Sequence, residues 1–172
     1  MDPNDWQSGN PGQNKPPEYR GKIDIRIARD GTWFHEGTPI RRRAITEYFS
    51  TILRKESDGE FYLVTPAEKW RIEVEDAPFM AIDVEADGSA DRQDLVFTTN
   101  VGVQVTAGVN HMLRVALDPD TREPTPYIMV RDGLEACINR SAFYGLVGYG
   151  VEKNGQLVVW SNGTCFVLGD LE

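Results

Sequence analysis

The chain has 172 residues, 27 of them Asp or Glu against 18 Lys or Arg, and its net charge of −9 disfavours phosphate backbones and anionic headgroups at long range, so nucleic acid is not an expected partner. With 40% hydrophobic residues it can build a full core. No apolar run approaches the ~18 to 20 residues that cross a bilayer and no leader-like segment opens the chain, so a cytoplasmic location is expected, with Cys137 and Cys165 as free thiols.

The first eighteen residues are rich in Pro, Gly, Asn and Gln and bury almost nothing, which predicts a flexible tail. From Lys22, Ile23, Ile25 and Ile27 alternate with Asp24 and Arg26 as in a half-buried strand; Asp30-Gly31 is a tight turn and Thr32 to Glu36 the returning strand. Thr38-Pro39 reads as an N-cap and first helical residue, and Ile45, Phe49, Ile52 and Leu53 predict an amphipathic helix that stops at the polar stretch Lys55 to Gly59. Strands are predicted over Glu60 to Thr65, Lys69 to Val74 and Phe79 to Glu85, with Asp94 to Thr99 returning across an acidic loop. His111 to Leu117 and Pro126 to Val130 read as strands around Asp118-Pro119-Asp120. Leu134, Ile138, Ala142 and Leu146 predict a second helix opened by the capping-box pair Asp132 and Glu135. Beyond it, Asn154-Gly155 and Asn162-Gly163 separate the three short strands of a meander, Tyr149 to Lys153, Gln156 to Ser161 and Thr164 to Leu168.

Setting Ile45, Phe49 and Leu53 beside Ile138, Ala142 and Leu146 gives a constant offset of 93, and the same offset lays Trp33-Phe34 on Pro126-Tyr127. The expected fold class is therefore α+β: two similar halves, each a hairpin, a helix and further strands, over residues 19–90 and 91–172 behind the tail. Halves of this size have marginal cores on their own, so they are expected to share buried surface, with a cleft at their junction as the default pocket.

Five segments carry a family resemblance: Gly31 to Pro39 (GTWFHEGTP), Leu63 to Lys69 (LVTPAEK), Arg71 to Phe79 (RIEVEDAPF), Leu113 to Val115 (LRV) and Gly133 to Arg140 (GLEACINR), the last followed by Phe143-Tyr144. In these the chain, from about Tyr19 to Gly169, resembles the bacterial family called domain of unknown function 1285. The resemblance implies two related α+β halves, the second a pleckstrin-homology-like antiparallel sheet plus helix, and a signalling or ligand-binding role at their interface. It implies no established activity.

Arginine suits forked recognition of carboxylate or phosphate, which makes Arg71, Arg114 and Arg140 candidates for an anionic ligand, with Asn100 and Tyr127 as neutral partners. His35 and His111 are the only histidines; neither has metal-ligand spacing, and each is a candidate hydrogen-bonding ligand residue near the junction. Cys165, on the last strand, completes the candidate set, while Cys137, expected in the first turns of the second helix, is the thiol whose position favours reactivity unless burial silences it. Arg41-Arg42-Arg43 is expected in the first helical turns, where it opposes the helix dipole and is balanced by acidic neighbours or an anionic partner. Asp83 to Asp94 spaces its oxygens as a calcium loop does, yet it ends in Asp instead of Glu and has strands on both flanks, so a solvated acidic turn is expected. Gly145 to Gly150 follows a helix instead of opening one and reads as a helix exit, and no serine-elbow or phosphate-loop motif is present.

These residues point to a non-enzymatic module for a small anionic ligand or a protein partner, without metal or cofactor, in a regulatory setting. The alternative is an enzyme on a small anionic metabolite with a cysteine nucleophile and a histidine base. The oligomeric state is left open.

Overall fold

Alternation from Lys22 onward buries Ile25 and Ile27 and exposes Asp24, as a period of two requires, and produces strand β1 (Glu18–Ile27). The computed structural model describes residues 15–171, and most of the expected tail over 1–18 lies outside them. After β1 come β2 (Trp33–His35), β3 (Thr38–Pro39), α1 (Arg43–Ile52), β4 (Leu53–Lys55), β5 (Phe61–Val64) and β6 (Glu68–Val74). They form one six-stranded sheet in the order β3-β2-β1-β6-β5-β4, closed through the middle by parallel pairing of β1 with β6.

The chain then builds β7 (Phe79–Asp87), a short 3₁₀ turn (Ala90–Arg92), β8 (Asp94–Thr99), β9 (Gln104–Thr106), β10 (Leu113–Leu117), β11 (Pro124–Arg131) and β12 (Leu134–Ile138). These strands make a second six-stranded sheet, β10-β11-β12-β7-β8-β9. Helix α2 (Arg140–Gly148) leads to a separate meander of β13 (Val151–Lys153), β14 (Gln156–Ser161) and β15 (Thr164–Asp170). The fold is α+β, two similar halves rich in strands with one helix each. No helix among the described residues is long and apolar enough to cross a membrane. The sheets divide between Val74 and Phe79, whereas the expected division at residue 90 falls inside the paired β7–β8 hairpin.

The two halves match at an offset of 96, not 93. Glu36-Gly37 and Asp132-Gly133 are the same two-residue turn, with φ of 49° and 77° in the first and 42° and 79° in the second. Strand β15 repeats the position of β6 residue for residue. The expected alignment failed because Ile138, Ala142 and Leu146 are spaced by four, like a helix face, although Ile138 ends a strand. Leu134, Ala136 and Ile138 are all buried, Glu135 and Cys137 only partly, and Asn139 is the cap of α2, its side chain accepting the N–H of Ala142 at 2.8 Å. Likewise Thr38-Pro39 pairs with His35-Phe34 as a strand, because the Glu36-Gly37 turn folds it back; α1 begins only at Arg43, so Arg41 and Arg42 precede the helix.

One apolar core runs through both halves, joining Trp33, Leu53 and Ile72 to Phe79, Phe97, Leu134, Leu146 and Phe166. Arg131 fastens them further. From the end of β11 it donates to the carbonyls of Ser50 and Leu53 at the C-terminus of α1, while its guanidinium lies 5.5 Å from the Phe79 ring centre. Those carbonyls have no partner within the helix, and a cation there also favours the helix dipole.

Candidate functional site

Three of the sequence candidates meet where the halves join. Tyr127 of β11 is 7% exposed, and its hydroxyl donates to the Asp76 carboxylate, 2.9 Å from both oxygens, in the segment linking β6 to β7. Burial, then this bond and the adjacent negative charge, push the phenol up to about 12. Arg114 of β10 lies 4.2 Å over the Tyr127 ring and forks onto Glu135 of β12 at 2.8 and 2.7 Å, which raises its pKa. Asn100 stands after β8: its oxygen accepts the Met80 N–H at 3.1 Å, and its amide donates to the Gly31 carbonyl of the β1–β2 turn at 3.3 Å. Gly31 has φ +85°, and a Cβ there would come 2.8 Å from the Asn100 amide nitrogen, so glycine serves both the turn and the approach.

These groups are already engaged. Tyr127 is matched to Asp76 and Asn100 to the Gly31 carbonyl, bonds that reach from the second half to the first, while Arg114 is matched to Glu135 within the second sheet. Cys137 sits across from Tyr127 on β12, half-buried, and not in a helical turn as expected. Burial pushes its thiol up and the Asp76 charge adds to this, with Arg29 and Arg114 opposing, so the thiolate is disfavoured.

The other candidates are scattered. His35 is exposed on β2, 4.0 Å from Glu36, and His111 places Nδ1 2.9 Å from the Met129 carbonyl. Cys165 lies on β15 opposite Trp160, and no hydrogen bond among the described residues joins either thiol to a histidine. Arg71 is half-buried on β6, with no ion pair among the described residues. Asp83 to Asp94 runs along β7, through the 3₁₀ turn and into β8, and among the described residues no group of three His, Cys, Asp or Glu is placed to hold a metal.

Arg140 differs. It is exposed at the first position of α2, takes part in no ion pair among the described residues, and lines a depression of about 370 Å³. Pro124, Pro126, Ile138 and Phe143 wall this hollow, and Glu123, Thr125 and the largely exposed Tyr144 stand at its edge. A second depression, of about 380 Å³, opens between β10 and β15. Asp76, Glu135 and Arg131 were missed from the sequence because each gains its role from a partner 51, 21 or about 80 residues away. The one usable signal was Phe143-Tyr144, an aromatic pair directly following the Asn139 cap and Arg140.

The family model described as domain of unknown function (DUF1285), N-terminal domain, matches residues 10–77, and the model for the C-terminal domain of the same family matches residues 78–168. The chain belongs to the DUF1285 family. The boundary between its two domains falls in the segment between β6 and β7, where the sheets also divide. The crystal structure of a DUF1285 family protein from Silicibacter pomeroyi DSS-3 superposes with a TM-score of 0.85 at 51% identity, covering 90% of this chain and 84% of that one. A DUF1285 family protein from Shewanella baltica OS155 gives a TM-score of 0.57 at 28% identity over 74% of this chain and 92% of its own. No curated protein matches. The DUF1285 description assigns no activity, so function rests on the chemistry of the surface.

Proposed function

We propose that the chain is a non-enzymatic binding module that takes a small anionic group in the hollow beside α2. The observation that carries this reading is Arg140: an exposed cation without an ion pair among the described residues, at the mouth of a hollow walled by two prolines, Ile138 and Phe143. A volume of about 370 Å³ suits a small molecule, and such a site needs an apolar body with few fixed polar groups. Arg140 supplies the fork for a carboxylate or phosphate, Tyr144 a hydroxyl, and Glu123, which also lines the hollow, disfavours a second negative charge. The reading extends to a pleckstrin-homology-like C-terminal half and a regulatory role in a bacterial cytoplasm; its support is the antiparallel strands with one helix against them.

Thermal unfolding against carboxylates, phosphate, nucleotides and soluble lipid headgroups tests it. A ligand at 100 times its Kd adds about 2.7 kcal/mol, or about 5 to 10 °C for a chain of this size. The expected result is a shift with at least one anion that disappears in Arg140→Gln, whose own melting temperature is unchanged. A shift that survives the substitution, or none across the panel, overturns the reading.

A further inference from the structure

Two side chains in the hollow beside α2 carry opposite charges and stay open. Arg140 and Glu123 are the charged residues of its lining; both are exposed, and neither side chain takes part in an ion pair or a hydrogen bond among the described residues. The charges at the junction are matched, as Arg114 is to Glu135, whereas here a cation and an anion share one hollow without meeting. The hollow between β10 and β15 differs in this respect. It too holds one cation and one anion, Arg122 and Asp170, but the Asp170 carboxylate already accepts from the Gln156 amide at 2.9 Å.

The backbone fixes where each charge is rooted. Glu123 is tied by its N–H to the Thr121 hydroxyl at 3.3 Å and by its carbonyl to the Asp118 N–H at 2.9 Å, and the proline after it holds it extended. Arg140 follows the cap residue Asn139, whose side chain and carbonyl accept the N–H groups of Ala142 and Phe143, both at 2.8 Å. The rest of the wall is largely apolar. Pro126 and Ile138 stand one step beyond the Tyr127–Cys137 pair of the β11–β12 ladder, and the two prolines bring no N–H to the surface.

A ligand with a carboxylate alone satisfies Arg140 and leaves its charge in the field of Glu123; an amine alone does the reverse. An α-amino acid answers both. Its carboxylate, ammonium and side chain leave one carbon in three directions, and the hollow offers a guanidinium fork, a carboxylate and an apolar wall. Being neutral overall, such a zwitterion is also not repelled by the −9 charge of the chain. We propose that the hollow beside α2 binds a free α-amino acid with an apolar side chain, its carboxylate on Arg140 and its ammonium on Glu123; this rests on Arg140 as the anion-binding residue and adds the second charge.

Titration calorimetry on the full chain tests it with leucine and phenylalanine, each against the acid that lacks its amino group, isocaproate and hydrocinnamate. At least one amino acid is expected to bind about fivefold more tightly than its deaminated acid, the factor that one exposed ion pair can supply, and Glu123→Gln to bring the two within about twofold. Arg140→Gln is expected to abolish binding of both. Each substituted residue is exposed, so an unchanged melting temperature without ligand separates lost binding from lost folding. Acids that bind as tightly as the amino acids, and lose binding in Arg140→Gln, overturn the amino-acid assignment while leaving the anion site standing. A preference for the amino acid that persists in Glu123→Gln overturns it as well. If neither amino acid binds the proposal falls, and if the acids also fail, the anion site falls with it.

Discussion

The N-terminal half closes its sheet where the C-terminal half leaves its own split, although the order of strands is the same in both. Ten residues of β1 run along β6, tied by ladder bonds and by the pairs Arg20–Glu68, Lys22–Glu73 and Arg26–Glu75. Strand β10 has five residues. It stops where Asp118 accepts the N–H groups of Asp120 and Thr121 and its own N–H bonds to the Glu123 carbonyl, a turn that reverses the chain into β11. What the second half loses in its own closure it regains from the first: Arg131 and Tyr127 both reach across the junction.

That contrast can be broken experimentally, most severely at Arg131. Burial holds its guanidinium pKa below the ordinary value, and removing it takes the side-chain donor from the Ser50 carbonyl of α1, while Leu53 keeps the Arg54 guanidinium at 2.8 Å. Arg131→Met is expected to lose about 2 to 3 kcal/mol and to split urea unfolding into two phases as the halves separate; a single phase at the wild-type midpoint would contradict the fastening role. Next comes Tyr127→Phe, for which the lost bond to Asp76 predicts about 1 to 2 kcal/mol in the same measurement. It also carries a pH signature. A phenol pushed up to about 12 in the folded chain, against about 10 unfolded, stabilises fully below the unfolded value and loses that contribution as pH rises through about 12. Tyr127→Phe should therefore flatten part of the alkaline fall in stability; Tyr62, pushed up to about 12 by Asp58, keeps the remainder. The smallest effect belongs to Arg20→Gln on the closed seam, where an exposed pair contributes at most about 1 kcal/mol. A larger loss would mean that ion pairs, and not the ladder, close the first sheet.

The strand read from alternation at Ile23 to Ile27 and the one read from its flanking Asn-Gly turns at Gln156 to Ser161 stand where they were predicted, because alternation and tight turns are local patterns. The helix starts did not. Thr38-Pro39 and Asp132 to Glu135 carry helix-opening residues, yet both follow or contain a two-residue turn with positive φ, whose reversal pulls them into strands. Of eight candidate site residues, Arg140 lines a hollow of about 370 Å³; Asn100, Arg114 and Tyr127 have their hydrogen-bonding groups already engaged.

By itself the sequence determined the α+β class, the doubled plan and most strands, because periodicity, turn residues and charge balance act over a few neighbouring positions. Tertiary structure decided which charges are paired, that β10 and β15 form no ladder while β1 and β6 do, and that Cys137 lies on a strand where burial raises its pKa. Each of these depends on a partner tens of residues away, whose approach is set by how the sheets pack and not by any local pattern.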